Sequence, residues 1–178
     1  MYQCIDDKVQ SDTQELIVIV GPTYISIENV TPDNRISGIE GHDMTIRCTA
    51  TGGQPSHDIK LVILGYTYLG KQSAQHTFKP VRSNDSSNVT CLAGYEEINS
   101  YPLSTSSNIH LMLKPIITPF SPDTLRTEET KYFDVSCQST GSRPAALISW
   151  LLGQEGTNVT SNSTSQSNQE SSTDIYIL

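Results

Sequence analysis

Cys137-Gln138-Ser139-Thr140-Gly141-Ser142-Arg143-Pro144-Ala145-Ala146-Leu147-Ile148-Ser149-Trp150 is the stretch on which the reading of this chain turns. A cysteine closing one apolar alternation, a Thr-Gly pair, a proline and a second alternation spell strand, connection, strand. The same order stands 89 positions earlier, in Cys48-Thr49-Ala50-Thr51-Gly52-Gly53-Gln54-Pro55-Ser56-His57-Asp58-Ile59-Lys60-Leu61. Without gaps, the two stretches share the cysteine, the Thr-Gly pair, the proline and the isoleucine. Cys4 and Cys91, 87 positions apart, each close a short segment, Tyr2-Gln3-Cys4 and Val89-Thr90-Cys91. Pro22 and Pro115, 93 apart, each end an apolar run. Offsets this uniform mark a repeat of roughly 90 residues, the signature of an array.

Period-2 alternation runs between these landmarks, and helical periodicity is absent. Met44, Ile46, Cys48 and Ala50 fall on one face, with Thr45, Arg47 and Thr49 on the other. Ile59 and Leu61 share a face, as do Val89, Cys91 and Ala93, and again Ile109, Leu111 and Leu113. At the start, a strand ending in Cys4, a polar hairpin from Asp6 to Gln14 and a strand from Glu15 to Val20 are expected. Gly21-Pro22 then breaks the run before Tyr24-Ile25-Ser26-Ile27. Further on, Phe133, Val135 and Cys137 point one way and Ile148, Trp150 and Leu152 form the next strand. Gln154 to Ser172 reads as a polar loop, and Asp174 to Leu178 as one more strand. Short strands with Gly, Pro, Asn and Ser between them predict an all-β sandwich architecture.

Composition narrows the function classes. A formal charge of −8 without a Lys/Arg cluster argues against nucleic acid, whose phosphates need clustered cations. Leu16-Ile17-Val18-Ile19-Val20 is far too short an apolar run to span a bilayer, which needs about 20 residues. No signal peptide is recognisable, and Met1 is followed at once by what reads as the end of a sandwich; it is therefore expected to be an internal start rather than the natural amino terminus, with any leader or anchor outside these residues. Cysteines on strand-like segments, without Cys-x-x-Cys or Cys/His pairing, favour disulfides over a metal. Asn-x-Ser/Thr sequons begin at Asn29, Asn84, Asn88, Asn158 and Asn162. Together these point to an oxidising, glycosylating compartment, and hence an extracellular location.

The Cys137 to Trp150 pattern resembles the strand B to strand C signature of the immunoglobulin superfamily. Tyr2-x-Cys4 is similar to the family's tyrosine corner on strand F, while Val89-Thr90-Cys91 lacks the tyrosine. Val-x-Cys on that strand, with Gly141-Ser142-Arg143-Pro144-Ala145-Ala146 before the tryptophan, looks like the constant-type sets of nectin-, nephrin- and sidestep-like adhesion receptors. The resemblance implies tandem immunoglobulin-like β-sandwiches, one complete and two partial. Residues 1–21 would be the closing F–G hairpin of one domain, 22–114 a complete domain, and 115–178 the first part of a third. It further implies a Cys48–Cys91 disulfide, with Cys4 and Cys137 pairing with cysteines outside the chain. Trp150 would be a core tryptophan packed on such a bridge, and Leu61 stands where the middle unit would carry its own. Short junctions at Gly21-Pro22 and Lys114-Pro115 imply a semi-rigid array.

Candidate sites are few. Asn88, by alternation, faces opposite to Val89 and Cys91, which suits an outward glycan; Asn158 and Asn162 lie in the polar stretch. Asn84 is crowded by Asn88, and Asn29 is followed by Thr31-Pro32. His42, His57, His76 and His110 lack metal-ligand spacing and read as surface or strand histidines. No nucleophile elbow or phosphate loop occurs, so neither catalysis nor a cofactor nor a metal is implied. Asp6-Asp7 reads as a solvated hairpin tip. Tyr66, Tyr68, Tyr95 and Tyr101 are candidate contact aromatics.

The expected function is an extracellular protein-recognition module of a cell-surface adhesion receptor. Its partner would be another cell-surface or extracellular protein, bound homophilically or heterophilically, with no nucleic acid. Membrane attachment would come only through a segment outside the chain. The alternatives are a secreted immune-recognition protein with such repeats and a structural spacer.

Overall fold

The computed structural model describes residues 5–6, 9–10, 16–119, 134–152, 156–158, 163–167 and 171–177. Strands in chain order are β1 (Ile5–Asp6), β2 (Val9–Gln10), β3 (Val20–Ile27), β4 (Arg35–Ile39), β5 (Met44–Gln54), β6 (Asp58–Ile63), β7 (Tyr66–Lys71) and β8 (Ser73–Phe78). They continue with β9 (Asn88–Tyr95), β10 (Ser100–Met112), β11 (Ile116–Pro119), β12 (Asp134–Thr140), β13 (Leu151–Leu152), β14 (Thr157–Asn158), β15 (Ser163–Ser167) and β16 (Ser171–Ile177). Two single 3-10 turns, Arg82–Asn84 and Glu96–Ile98, complete the described elements, and none of these is an α-helix.

The described residues fall into two compact units. One draws on Met1–Ile36, Thr45–Phe78 and Ser87–Asn108, the other on Ser37–Met44, Lys79–Ser86 and Ile109–Leu178. A three-stranded sheet ordered β3-β5-β8 and a five-stranded sheet ordered β4-β10-β9-β6-β7 form the sandwich.

In the first unit the alternation read from the sequence is the core. Ile46, Cys48 and Ala50 on β5, Ile59, Leu61 and Ile63 on β6, and Val89, Cys91 and Ala93 on β9 are all buried. A strand with one buried face must alternate in this way, because successive side chains point to opposite faces. Cys48 and Cys91 form the disulfide, with their Cα atoms 6.1 Å apart, tying β5 of one sheet to β9 of the other. Tyr95 extends the buried face of β9, and its hydroxyl donates to the carbonyls of Val20 at 2.5 Å and Pro55 at 3.0 Å. A buried phenol needs such partners to offset the loss of water.

Two features of this unit differ from expectation. Gly21-Pro22 does not separate two strands: β3 runs through it from Val20, with a register shift between Pro22 and Tyr24. Proline is tolerated because β3 is an edge strand, so its missing N–H leaves no ladder bond open. Leu16 to Ile19 lie outside any strand and are exposed, so the expected strand is confined to Val20 onward. Cys4 and most of the Asp6–Gln14 hairpin lie outside the described residues, although β1 and β2 pair antiparallel across it.

The second unit carries a four-stranded sheet ordered β11-β12-β16-β15 and the small pair β13-β14. Met44, Ile109 and Leu111 are buried here, as are Pro80 and Ser139. Cys137 is half-buried on β12, opposite Pro119 on β11 and Asp174 on β16. The expected strand over Ile148, Trp150 and Leu152 shortens to Leu151–Leu152, with residues 145–150 outside regular structure and Trp150 half-buried. The polar stretch expected as a loop instead holds β14, β15 and the start of β16. Ladder bonds come from the backbone, so Ser- and Thr-rich segments pair when a neighbouring strand is present.

Candidate recognition site

The five-stranded sheet presents its second face to solvent. With Ile59, Leu61 and Ile63 turned inward, Asp58, Lys60 and Val62 turn outward. Directly opposite residues share a face, so the register assembles rows across the sheet. Lys60 stands between Leu69 of β7 and Leu92 of β9, and Leu92 faces Ser104 of β10. Val62 stands between Thr67 and Thr90, and Thr90 faces Ser106. The outward face thus carries Val62, Leu69 and Leu92 among Lys60, threonines and serines.

A charged cluster fixes one end of that face. Lys60 Nζ lies 2.7 Å from Glu96 Oε2 and 4.2 Å above the centre of the Tyr101 ring. The Tyr101 hydroxyl donates to the same Glu96 oxygen. Asp58 accepts from Lys71 at 2.6 Å and from the Glu96 backbone N–H at 3.0 Å. Hydrogen bonding to Glu96, then Tyr101, raises the Lys60 ammonium above its ordinary value, and the Lys60 bond lowers Glu96. The Lys71 bond, then the Glu96 N–H, lowers Asp58. Lys60 and Tyr101 thus share Glu96 as a common partner.

Of the aromatic candidates, the structure brings only Tyr101 to this cluster. Tyr95 is core. Tyr68 stacks on His76 with ring centres 4.0 Å apart, and His76 stacks on Phe78 at 5.6 Å. Tyr66 is 69% exposed at the outer edge of β7. The histidine expectation fails at one position: His57 is buried, 1% exposed, immediately before β6. Its place, two residues before inward-facing Ile59, puts it on the core side of the chain.

Within the second unit, two arginine–carboxylate groups hold the segment around Lys114-Pro115. Arg82 donates to the Gly141 carbonyl at 2.6 Å and to the Lys114 carbonyl, and lies 3.3 Å from Glu40. Glu40 in turn accepts from the Lys114 backbone N–H at 2.9 Å. Arg143 donates to both Asp85 oxygens at 3.0 and 3.1 Å and to the Leu111 carbonyl at 3.3 Å. Asp85 also accepts from the Leu111 N–H at 2.8 Å, and Leu113 and Arg143 exchange backbone hydrogen bonds. Gly141 sits at φ +65°, where a side chain is strained, and a Cβ there would lie 2.4 Å from the Arg82 guanidinium and displace it.

Acid sensitivity of the segment is the expected consequence of these carboxylates. Burial pushes Asp85 up, but the Leu111 N–H and Arg143 outweigh it and leave the carboxyl below its ordinary value. The Lys114 N–H, against a smaller effect of burial and aided by Arg82, lowers Glu40. A depressed folded-state pKa contributes stability above the unfolded value, near 4, that is lost as pH falls through the folded value. The amides of Leu113 and Arg143 are therefore expected to keep their hydrogen-exchange protection from neutrality to about pH 5 and to lose it below about pH 4. Asp85→Asn should lower protection already at neutral pH and flatten that pH dependence; an unchanged profile would contradict the assignment.

The glycan candidates are dispersed. Asn29 is exposed in the turn after β3, Asn158 is exposed on β14, and Asn162 lies outside the described residues. Asn88 is exposed at the start of β9, and its side-chain carbonyl accepts from Thr90 at 3.4 Å. Asn84 is half-buried and accepts from the Val81 N–H at 2.9 Å. Sequence reasoning missed Arg82, Asp85, Arg143 and Glu40. A charged residue six positions before a strand cysteine and an arginine just before the repeated proline were the available signals.

Facing antiparallel sheets joined by a buried disulfide make this an immunoglobulin-like fold. Residues 115–176 match the family model of the CD80-like C2-set immunoglobulin domain. The crystal structure of Rst D1-D2 is similar over 88% of this chain and 84% of that chain, with a TM-score of 0.53 and 14% identity. At that identity the likeness is one of fold. No curated protein sequence matches the chain.

Proposed function

We propose that the chain is an extracellular protein-recognition segment of a cell-surface adhesion receptor, built from successive immunoglobulin-like sandwiches with boundaries near residues 22 and 115. The observation that carries this reading is the solvent-facing sheet, where Lys60, Glu96 and Tyr101 form a preorganised cluster beside Leu69 and Leu92. A disulfide-braced sandwich supplies the rigid support such a surface needs. The Gly141 to Ala146 stretch supports a nectin-, nephrin- or sidestep-like kinship, and the C2-set match over residues 115–176 is consistent with it. Among the described residues no helix is long and apolar enough to cross a membrane.

Beads carrying the glycosylated chain should bind cells of the tissue that expresses it saturably, and protease stripping of those cells should abolish binding. Tyr101→Ala should weaken it about tenfold or more, the scale of an interface aromatic. Binding that survives stripping, or no binding at all, would contradict the proposal.

A further inference from the structure

We infer that β7 is a self-association edge, pairing antiparallel with β7 of a second copy of this chain about a two-fold axis through Leu69. The inference deepens the recognition reading by naming one partner. β7 is the outermost strand of its sheet, with β6 as its neighbour there. The β6–β7 connection is the two-residue turn Leu64-Gly65, with φ values of +51° and +81°. Two successive positive φ values define the I′ hairpin, whose flanking residues, here Ile63 and Tyr66, exchange hydrogen bonds. Alternation along an antiparallel ladder then assigns every backbone group of β7. Tyr66, Tyr68 and Gly70 turn their N–H and C=O toward β6. Thr67, Leu69 and Lys71 turn theirs outward, to the open edge.

That outward set is self-complementary. With Leu69 opposite Leu69 of the second copy, each Thr67 meets the other copy's Lys71, and about six backbone hydrogen bonds form. The odd-numbered side chains share the outward face, so a two-fold perpendicular to the sheet extends it without inverting any residue. Leu69, 65% exposed, meets its own counterpart in an apolar contact at the axis. The single charge of the strand, Lys71, is already matched by Asp58 at 2.6 Å and faces threonine rather than another lysine. A formal charge of −8 opposes the approach of two copies, and along the β7 edge the one charge present, Lys71, is matched by Asp58. No sequon lies between Asn29 and Asn84, so the hairpin is free of glycan acceptors. Edge strands that avoid pairing carry proline, bulges, inward charges or an edge lysine; β7 has only the last, Lys71, which Asp58 neutralises. The contact is small, so the association belongs to the weak class suited to crowded cell contacts.

The test is sedimentation velocity of the glycosylated chain across concentration, with thermal melts to verify folding of each variant. The wild type should dimerise reversibly in the micromolar to millimolar range. Leu69→Lys, which sets two like charges face to face, should weaken the dimer at least about tenfold, whereas Ser104→Lys, farther in on the same face, should not. Because position 69 faces itself, mixing Leu69→Lys with Leu69→Glu should restore association as a heterodimer. A wild type monomeric throughout, a dimer indifferent to Leu69→Lys, or a mixture that fails to associate would each overturn the edge pairing. If Leu69→Lys still binds cells in the bead assay, protein recognition stands without the edge pairing; failure of the wild type itself to bind cells would sink the recognition reading instead.

Discussion

Replacing Cys48 and Cys91 together by alanine is expected to destabilise the sandwich by about 4 kcal/mol, the chain-entropy value for a closed loop of this size. The two residues are 43 positions apart and both fully buried. Domains of this kind have roughly 5–15 kcal/mol in total, so the loss removes a large share of the margin. Alanine also leaves a small void between β5 and β9, which acts in the same direction. Chemical denaturation of the secreted double variant should show a midpoint moved sharply down, or no folded baseline at 37 °C. A shift below about 1 kcal/mol would mean that the bridge does not brace this unit.

Leu61→Ala should rank close behind, at about 3 kcal/mol. Leu61 has no exposed surface, and its register places it opposite Cys91 on β9 and Tyr68 on β7. Truncation therefore opens a cavity beside the disulfide, where rigid strands on both sides limit collapse. Leu61→Trp tests the complementary idea that this position is shaped for leucine. Overpacking a filled site should cost about 1–3 kcal/mol rather than stabilise. Urea midpoints at constant slope measure both, and a stabilised tryptophan variant would show that the site has unused volume.

Position in the core was legible wherever alternation was strict. Met44, Ile46, Cys48 and Ala50 are buried as read, and so are Ile59, Leu61, Val89, Cys91 and Ala93, because one-sided burial leaves a period-2 trace. Strands β7 and β8 left no such trace. They lie at sheet edges, where inward positions such as Tyr66 remain exposed and outward ones such as Leu69 are apolar. The Leu64-Gly65 turn was hidden because leucine seldom accepts positive φ; the flanking ladder imposes it. His57 was misread because no alternation extends across the connection from β5 to β6. The Lys60 cluster was invisible for another reason. Its members come from β6, a 3-10 turn and β10, and only the three-dimensional register brings them together.

Peptide mapping of the secreted, unreduced chain tests the central claim most directly. The account predicts a linked fragment pair containing Cys48 and Cys91, with Cys4 and Cys137 never joined to each other. A Cys4–Cys137 linkage would break the repeat on which the immunoglobulin-like array rests, and with it the surface proposed here.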